Sequence, residues 1–314
     1  MRIANSYLSH RGNSKPIHPE RRPLLIVRLW RSLPVILRAI IVGELVVSIG
    51  GVPPQLAIVA NLRTSSHLPW LLVVTAIWLW LFWWYLSGRG WPKRTAEMRR
   101  RDLRGGPIPG RVWIWALIAG ALGILSTLGL AATITRLANV PHEAFKAPVD
   151  FSAYPRVTVI AALLAISATA GVVEEAGFRG FMLSPIQRRH GWTTAILITG
   201  LMFFFDHQLS HAYATFAFAP FFLAISAVHG LLVRFSGSIR PSVFLHGLAD
   251  FFLIPFMYGL VGSFSVTPVW VTGFDANFAF CIALMLIFGV AAAASFVRLA
   301  SVALREPNAL GRDA

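Results

Sequence analysis

Residues Arg156–Leu183 read RVTVIAALLAISATAGVVEEAGFRGFML. About 20 mostly apolar residues suffice to cross the hydrocarbon of a bilayer, and this run is long enough. Yet it carries Glu174, Glu175 and Arg179. Ionisable groups at membrane depth are costly and by default mark a functional site. The stretch therefore points to lipid as the solvent and raises the question of what chemistry needs two adjacent carboxylates there.

The rest of the chain supports lipid. Of 314 residues, 56% are hydrophobic and only 13% charged, where a soluble domain carries roughly 25% charged residues. Mean hydropathy is +0.66. Eleven Trp and 23 Phe suit membrane interfaces and helix packing. The net charge of +15 does not indicate nucleic acid, because the basic residues cluster between apolar runs, as topology signals do. The single cysteine, Cys281, excludes an intramolecular disulfide and reads as a small buried hydrophobe. The first 32 residues lack an uninterrupted apolar core, so no cleavable signal peptide is expected.

Apolar runs predict an all-α fold, a polytopic membrane helical bundle of about eight transmembrane helices, near 33–52, 68–87, 112–135, 156–183, 192–210, 213–233, 241–262 and 277–303. The runs are too long and continuous for the alternating strands of a membrane barrel. Twenty-two of the 28 Lys and Arg fall on one side of this arrangement, four fall on the other, and Arg38 and Arg179 lie within spans. The imbalance places both termini in the cytoplasm. The expected organisation is a basic cytoplasmic tail over 1–32, one transmembrane domain over 33–303 with its polar motifs within 156–262, and a short cytoplasmic tail over 304–314. The basic loop 88–111 reads as a topology signal that can also rest on anionic lipid.

Three polar motifs fall on three spans. On an α-helix, successive side chains point about 100° apart, so Glu174 and Glu175 are expected to face different directions. Glu175 and Arg179 are four apart and within ion-pair reach, which leaves Glu174 free to act as a general base. In the second motif, Phe203 precedes His207 by four residues. His211 follows by four more, a spacing that suits two metal ligands or one active histidine and one at a helix end. In the third, His246 and Asp250 share a face. Asp250 can orient the His246 ring, or the pair can face a developing oxyanion. Glu44, Arg38 and His229 lack neighbouring motifs and read as structural. Span counting puts His207 about 15 residues past the cytoplasmic end of its helix and His246 only about six, a depth difference of roughly 14 Å at 1.5 Å per residue.

Taken in order, Glu174-Glu175-x-x-x-Arg179, Phe203-x-x-x-His207 and His246-x-x-x-Asp250 resemble the CPBP family, the CAAX-protease and bacteriocin-processing (Abi) intramembrane proteases. The resemblance covers about 80 residues, Glu174 to Asp250. It implies a glutamate-dependent endopeptidase in which Glu174 and His207 activate water and His246 and Asp250 line the oxyanion side. It also implies that Glu175 and Arg179 support the site. Asp250 stands where members often have Asn, which always offers an amide donor.

Zinc is the competing mechanism, with Glu174, His207 and His246 as ligands, joined by His211 or Asp250. The chain lacks the H-E-x-x-H motif, and a cofactor-free site is expected. A peptide or membrane-anchored protein is the expected substrate and membrane lipid the surroundings, with no nucleic-acid partner. A bacterial inner membrane suits the Arg-rich chain. Two other functions fit the polar cluster: a non-catalytic immunity or scaffold protein, and a proton-coupled transporter, although the paired, broken helices of transporter repeats are not discernible.

Overall fold

The computed structural model of the chain describes residues 25–64, 67–140, 150–207, 216–257 and 266–306. Among them every regular element is helical. A short helix α1 (Leu25–Ser32) precedes the bundle and belongs to a separate N-terminal unit. The bundle comprises α2 (Val35–Arg63), α3 (Leu71–Leu86), α4 (Ala96–Leu103), α5 (Gly110–Leu137), α6 (Arg156–Thr169), a π-helical segment (Ala170–Met182), α7 (Leu183–Asp206), α8 (Ala219–Ser236), α9 (Arg240–Met257), α10 (Val269–Thr272) and α11 (Ala276–Arg305).

The chain is thus an all-α, multi-span membrane bundle. Five helical runs are long and apolar enough to cross a membrane, Val35–Arg63, Gly110–Leu137, Arg156–Asp206, Ala219–Ser236 and Ala276–Arg305, which corrects the expected eight. The difference has three sources. α3 is apolar but only 16 residues long. Arg156–Asp206 is one helical run of 51 residues where two spans were expected, although Gly191 breaks it with φ 83°. In α9 the polar Arg240, His246 and Asp250 dilute an 18-residue helix.

Without a strong hydrophobic force between helices in lipid, small residues that let backbones meet decide the packing. α5 lies along α11, where a Cβ on Gly129 would come within 2.5 Å of the Met285 amide nitrogen. The π-segment meets α9 in the same way. A Cβ on Gly171 would lie 2.6 Å from the Val243 carbonyl oxygen and 2.8 Å from the Gly247 nitrogen. That contact brings the carboxylates of one helix onto the histidine face of the other. In α2, Pro54 supplies no N–H to the Gly50 carbonyl, and the Trp78 indole donates to that oxygen instead at 2.8 Å.

The basic 88–111 segment makes structural contacts of its own. Arg99, 3% exposed, donates to the Gly90 carbonyl at 2.8 Å and lies 4.1 Å from the Tyr85 ring centroid. Arg188 donates to Asp102 at 2.7 Å, Arg104 to Gln187 at 2.6 Å, Ser238 to the Gly106 carbonyl at 2.8 Å and Arg240 to the Gly105 carbonyl at 2.8 Å. The loop therefore ties the start of α7 to the start of α9. At the other end of α5, Arg136 is 1% exposed. It donates to Thr267 O at 2.5 Å, Thr272 Oγ1 at 2.6 Å, Asp275 Oδ2 at 2.8 Å and Asn277 Oδ1 at 3.1 Å. Cys281 is buried, as expected.

Candidate active site

The π-segment decides how the two glutamates are presented. A π-helix closes i→i+5 hydrogen bonds and is frequent at functional sites. It turns less per residue than an α-helix, so neighbouring side chains diverge less. Glu174 and Glu175 face different surroundings, as expected, and flank the His246 imidazole from its two sides. Glu175 Oε1 accepts from His246 Nδ1 at 2.8 Å, and Glu174 Oε2 lies 3.7 Å from Nε2 on the ring's other side.

Glu175 and Arg179 form the expected i,i+4 ion pair at 3.1 Å, both fully buried. The Arg179 guanidinium also stacks 4.6 Å from the Phe203 ring centroid. The other oxygen of Glu175 accepts from Ser242 Oγ at 2.5 Å. Ser242 Oγ in turn lies 2.7 Å from His229 Nδ1. Because the serine proton goes to the carboxylate, its oxygen accepts from His229 Nδ1–H. The chain His229 → Ser242 → Glu175 ← His246 is complete, with each donor facing an acceptor.

The outer half of the cluster opens to a cavity of about 370 Å³, lined by α5, α6, the π-segment, α7, α8 and α9. Glu174 Oε2 is 3.8 Å from His207 Nε2 and 3.7 Å from His246 Nε2, and His246 Nε2 is 3.6 Å from Asp250 Oδ2. These are not direct hydrogen bonds; they leave room for one small ligand among four polar atoms. Glu174 Oε2 is buried without a hydrogen-bond partner, and an orphaned buried acceptor needs an explanation such as a water or an ion. His207 Nδ1 contacts the Phe203 carbonyl at 2.8 Å. That oxygen only accepts, so Nδ1 carries the proton and Nε2 presents its lone pair to the cavity.

Of the residues singled out by sequence, Glu174, His207, His246 and Asp250 converge on this space, while Glu175 and Arg179 lie behind it. His211 lies outside the described residues. The depth difference between His207 and His246 disappears, because the break at Gly191 makes residues before it a poor origin for counting depth along α7. Asp250 does not hold the His246 ring; Glu175 does. His229, read from sequence as structural, and Ser242, not singled out, complete the arrangement. His229 stands alone on α8 and carried no motif. Ser242 had a signal, since Ser242, His246 and Asp250 recur every four residues on α9 and share a face.

Two sets of residues offer metal ligands. Glu175, His229 and His246 each place a ligand atom within 4.8 Å of the others. Those atoms are already engaged by Ser242 and by one another, and the Arg179 guanidinium repels a second cation, so this set does not fit a metal. Glu174, His207, His246 and Asp250 present unengaged N and O atoms at the spacings given above. Its mixed N and O character suits zinc, although among the described residues it is the Glu175, His229 and His246 set whose ligand atoms gather within 4.8 Å of one another.

Residues 156–252 match the model of the Rce1-like family, described as type II CAAX prenyl endopeptidase Rce1-like. Over those residues the chain belongs to the Rce1-like CAAX protease/Abi family, whose match covers the π-segment, His207, His229 and the polar face of α9. No curated protein and no solved structure matches the chain. The protein is therefore a membrane-embedded bundle of the CAAX-protease type. Its Glu175, His229 and His246 cluster is consistent with a catalytic site for intramembrane proteolysis.

Proposed function

We propose that the protein is an intramembrane endopeptidase that hydrolyses a peptide bond with water activated by Glu174 and His207. The reading rests on one observation: Glu174 Oε2 lies 3.8 Å from His207 Nε2 and 3.7 Å from His246 Nε2, His246 Nε2 lies 3.6 Å from Asp250 Oδ2, and all four residues line one cavity. A water held there donates one proton to Glu174 Oε2 and the other to His207 Nε2, and its oxygen attacks the scissile carbonyl. Glu174 takes the proton as the bond forms, and the leaving amine receives it as the C–N bond breaks. His246, kept in place from behind by Glu175, turns Nε2–H toward the oxyanion. Positioned acids and bases contribute typically 10²–10⁴-fold, and one oxyanion donor about 10²–10³-fold. Asp250 steadies the charge on His246 from the cavity side. Were zinc bound, Glu174, His207 and His246 would hold it, and it would supply Lewis-acid polarisation of the carbonyl.

The family description names a prenyl CAAX endopeptidase, and we carry peptide-bond hydrolysis from it to this chain, with a peptide or membrane-anchored protein as substrate. We read both termini as cytoplasmic, on the strength of the Lys and Arg distribution, and the chain as residing in a bacterial inner membrane. The test is cleavage of an internally quenched prenylated CAAX peptide by the full chain in lipid nanodiscs. Glu174→Gln should remove cleavage by at least about 10³-fold with unchanged thermal stability. Full activity in that variant would refute the assignment.

A further inference from the structure

A second cavity, of about 470 Å³, lies beside the first and shares Ile166, Ala170 and Glu174 with it. Its α2 wall is built on the stripe Val47, Gly51, Pro54, Ile58 and Leu62, with Gln55 and Val59 beside it, at the three- and four-residue spacing of one helix face. Ala162, Ile166, Ala170 and Val173 on α6 and the π-segment face it. From Val47 to Leu62 the stripe runs roughly 22 Å at 1.5 Å per residue. The groove is thus long, apolar and open at one side, and its inner end is the same carboxylate that faces the histidines.

Two details separate this groove from ordinary helix packing. Gly50 and Gly51 are adjacent but differently placed. A Cβ on Gly50 would press within 2.7 Å of Phe82 and Val173, whereas one on Gly51 would meet nothing within 4 Å. Space is left open on the stripe itself. The groove also holds polar handles where it nears the site. The Gln55 amide lines it, and Thr169 Oγ1 lines it while buried without a hydrogen-bond partner. A buried hydroxyl with no partner is costly, and a peptide N–H or C=O laid along the groove would satisfy it.

We propose that this groove is a substrate subsite that receives the apolar residues flanking the scissile bond of a membrane-anchored polypeptide. Those residues lie between α2 and α6, with Thr169 and Gln55 holding the backbone, and the scissile bond then falls at Glu174. The groove selects for apolar flanks because a polar side chain there would be desolvated without a partner. The inference rests on the endopeptidase reading for the position of the scissile bond, but not for the binding itself.

The test uses the full chain in nanodiscs and two quenched peptides with the same central sequence, one flanked by leucines and one by serines. Gly51→Leu fills the groove from a position with room for a side chain. It should raise KM for the leucine-flanked peptide about tenfold or more with kcat unchanged, and leave the serine-flanked peptide unaffected. Leu56→Phe, at an exposed position outside the groove lining, should change neither. Binding is read separately, by energy transfer from tryptophan to a dansylated leucine-flanked peptide in the non-cleaving Glu174→Gln background. Loss of that binding on adding Gly51→Leu supports the subsite even if no peptide is cleaved, in which case the peptidase reading alone fails. Equal binding of both peptides, no binding of either, or indifference to Gly51→Leu overturns the subsite and leaves the groove to annular lipid, whether or not cleavage occurs.

Discussion

Glu175 Oε1 lies 2.8 Å from His246 Nδ1, so the carboxylate that pairs with Arg179 along its own helix also fixes the histidine of another. The doubly protonated imidazole of His246 donates from both ring nitrogens. Once Nδ1–H is committed to Glu175, Nε2 is the nitrogen turned to the cavity. Ser242 completes the shell from the opposite oxygen of Glu175.

Ser242 can therefore be separated from substrate binding. It does not line the cavity, and its hydroxyl acts only through Glu175 and His229. Ser242→Ala should lower kcat about ten- to a hundredfold, the worth of one hydrogen bond to a charged group, while leaving KM unchanged. Ser242→Thr, which keeps the hydroxyl, should recover part of the loss. A change confined to KM would show that Ser242 matters through the cavity walls instead.

Asp250 is expected to tolerate amidation. Its carboxylate is 3.6 Å from His246 Nε2, too far for a direct hydrogen bond, and Asn fills the same volume with an amide donor. Asp250→Asn should stay within about tenfold of the parent rate, and Asp250→Ala should lose more, since it removes the polar group altogether. Equal losses in the two would mean that the negative charge itself is required.

Activity should survive exhaustive dialysis against 1,10-phenanthroline, because Glu174 and His207 can activate water without a metal. Elemental analysis of the active protein decides the point. One zinc per chain that disappears with activity and restores it on return would replace the metal-free mechanism, with Glu174, His207 and His246 as its ligands.

The Arg136 latch gives a pH dependence to stability. Hydrogen bonds from Arg136, then from the Phe278 backbone N–H, hold the Asp275 carboxyl well below its ordinary value of 3.8. A carboxyl with a depressed folded value contributes stability above its unfolded value and loses it as pH falls toward the folded one. The contribution is thus complete above about pH 5 and declines below about pH 4. Melting of the parent protein in detergent should fall more steeply than that of Asp275→Asn between pH 5 and 3. Parallel curves would mean that the latch adds no stability.

Much of this architecture was legible in the sequence, for identifiable reasons. Long apolar runs reveal membrane helices, but a length rule miscounts a 16-residue α3 and an α9 diluted by its own functional residues. Motifs spaced by four were legible because the α-helix repeats nearly every four residues, so His246 and Asp250 fall together. The division of labour between Glu174 and Glu175 was legible from their adjacency and the Glu175–Arg179 spacing, whereas the π-helical winding of the stretch was not, because composition does not reveal it. The link of His229 to the site was not legible for another reason. Its partner Ser242 is 13 residues away on the next helix, and contacts across a helical hairpin have no periodicity to read.

The ion pair within the π-segment also bears on the order in which the chain is made. Ser242 and His246 follow Glu175 by 67 and 71 residues. At synthesis rates of about 5–20 residues per second, His246 emerges on the order of 4–14 seconds after Glu175. During that interval the helix carrying Glu175 must partition into lipid with neither of its later partners present. Arg179, only four residues on, is available at once. The local pair thus acts as a temporary chaperone for its own carboxylate, keeping it neutralised until α9 arrives.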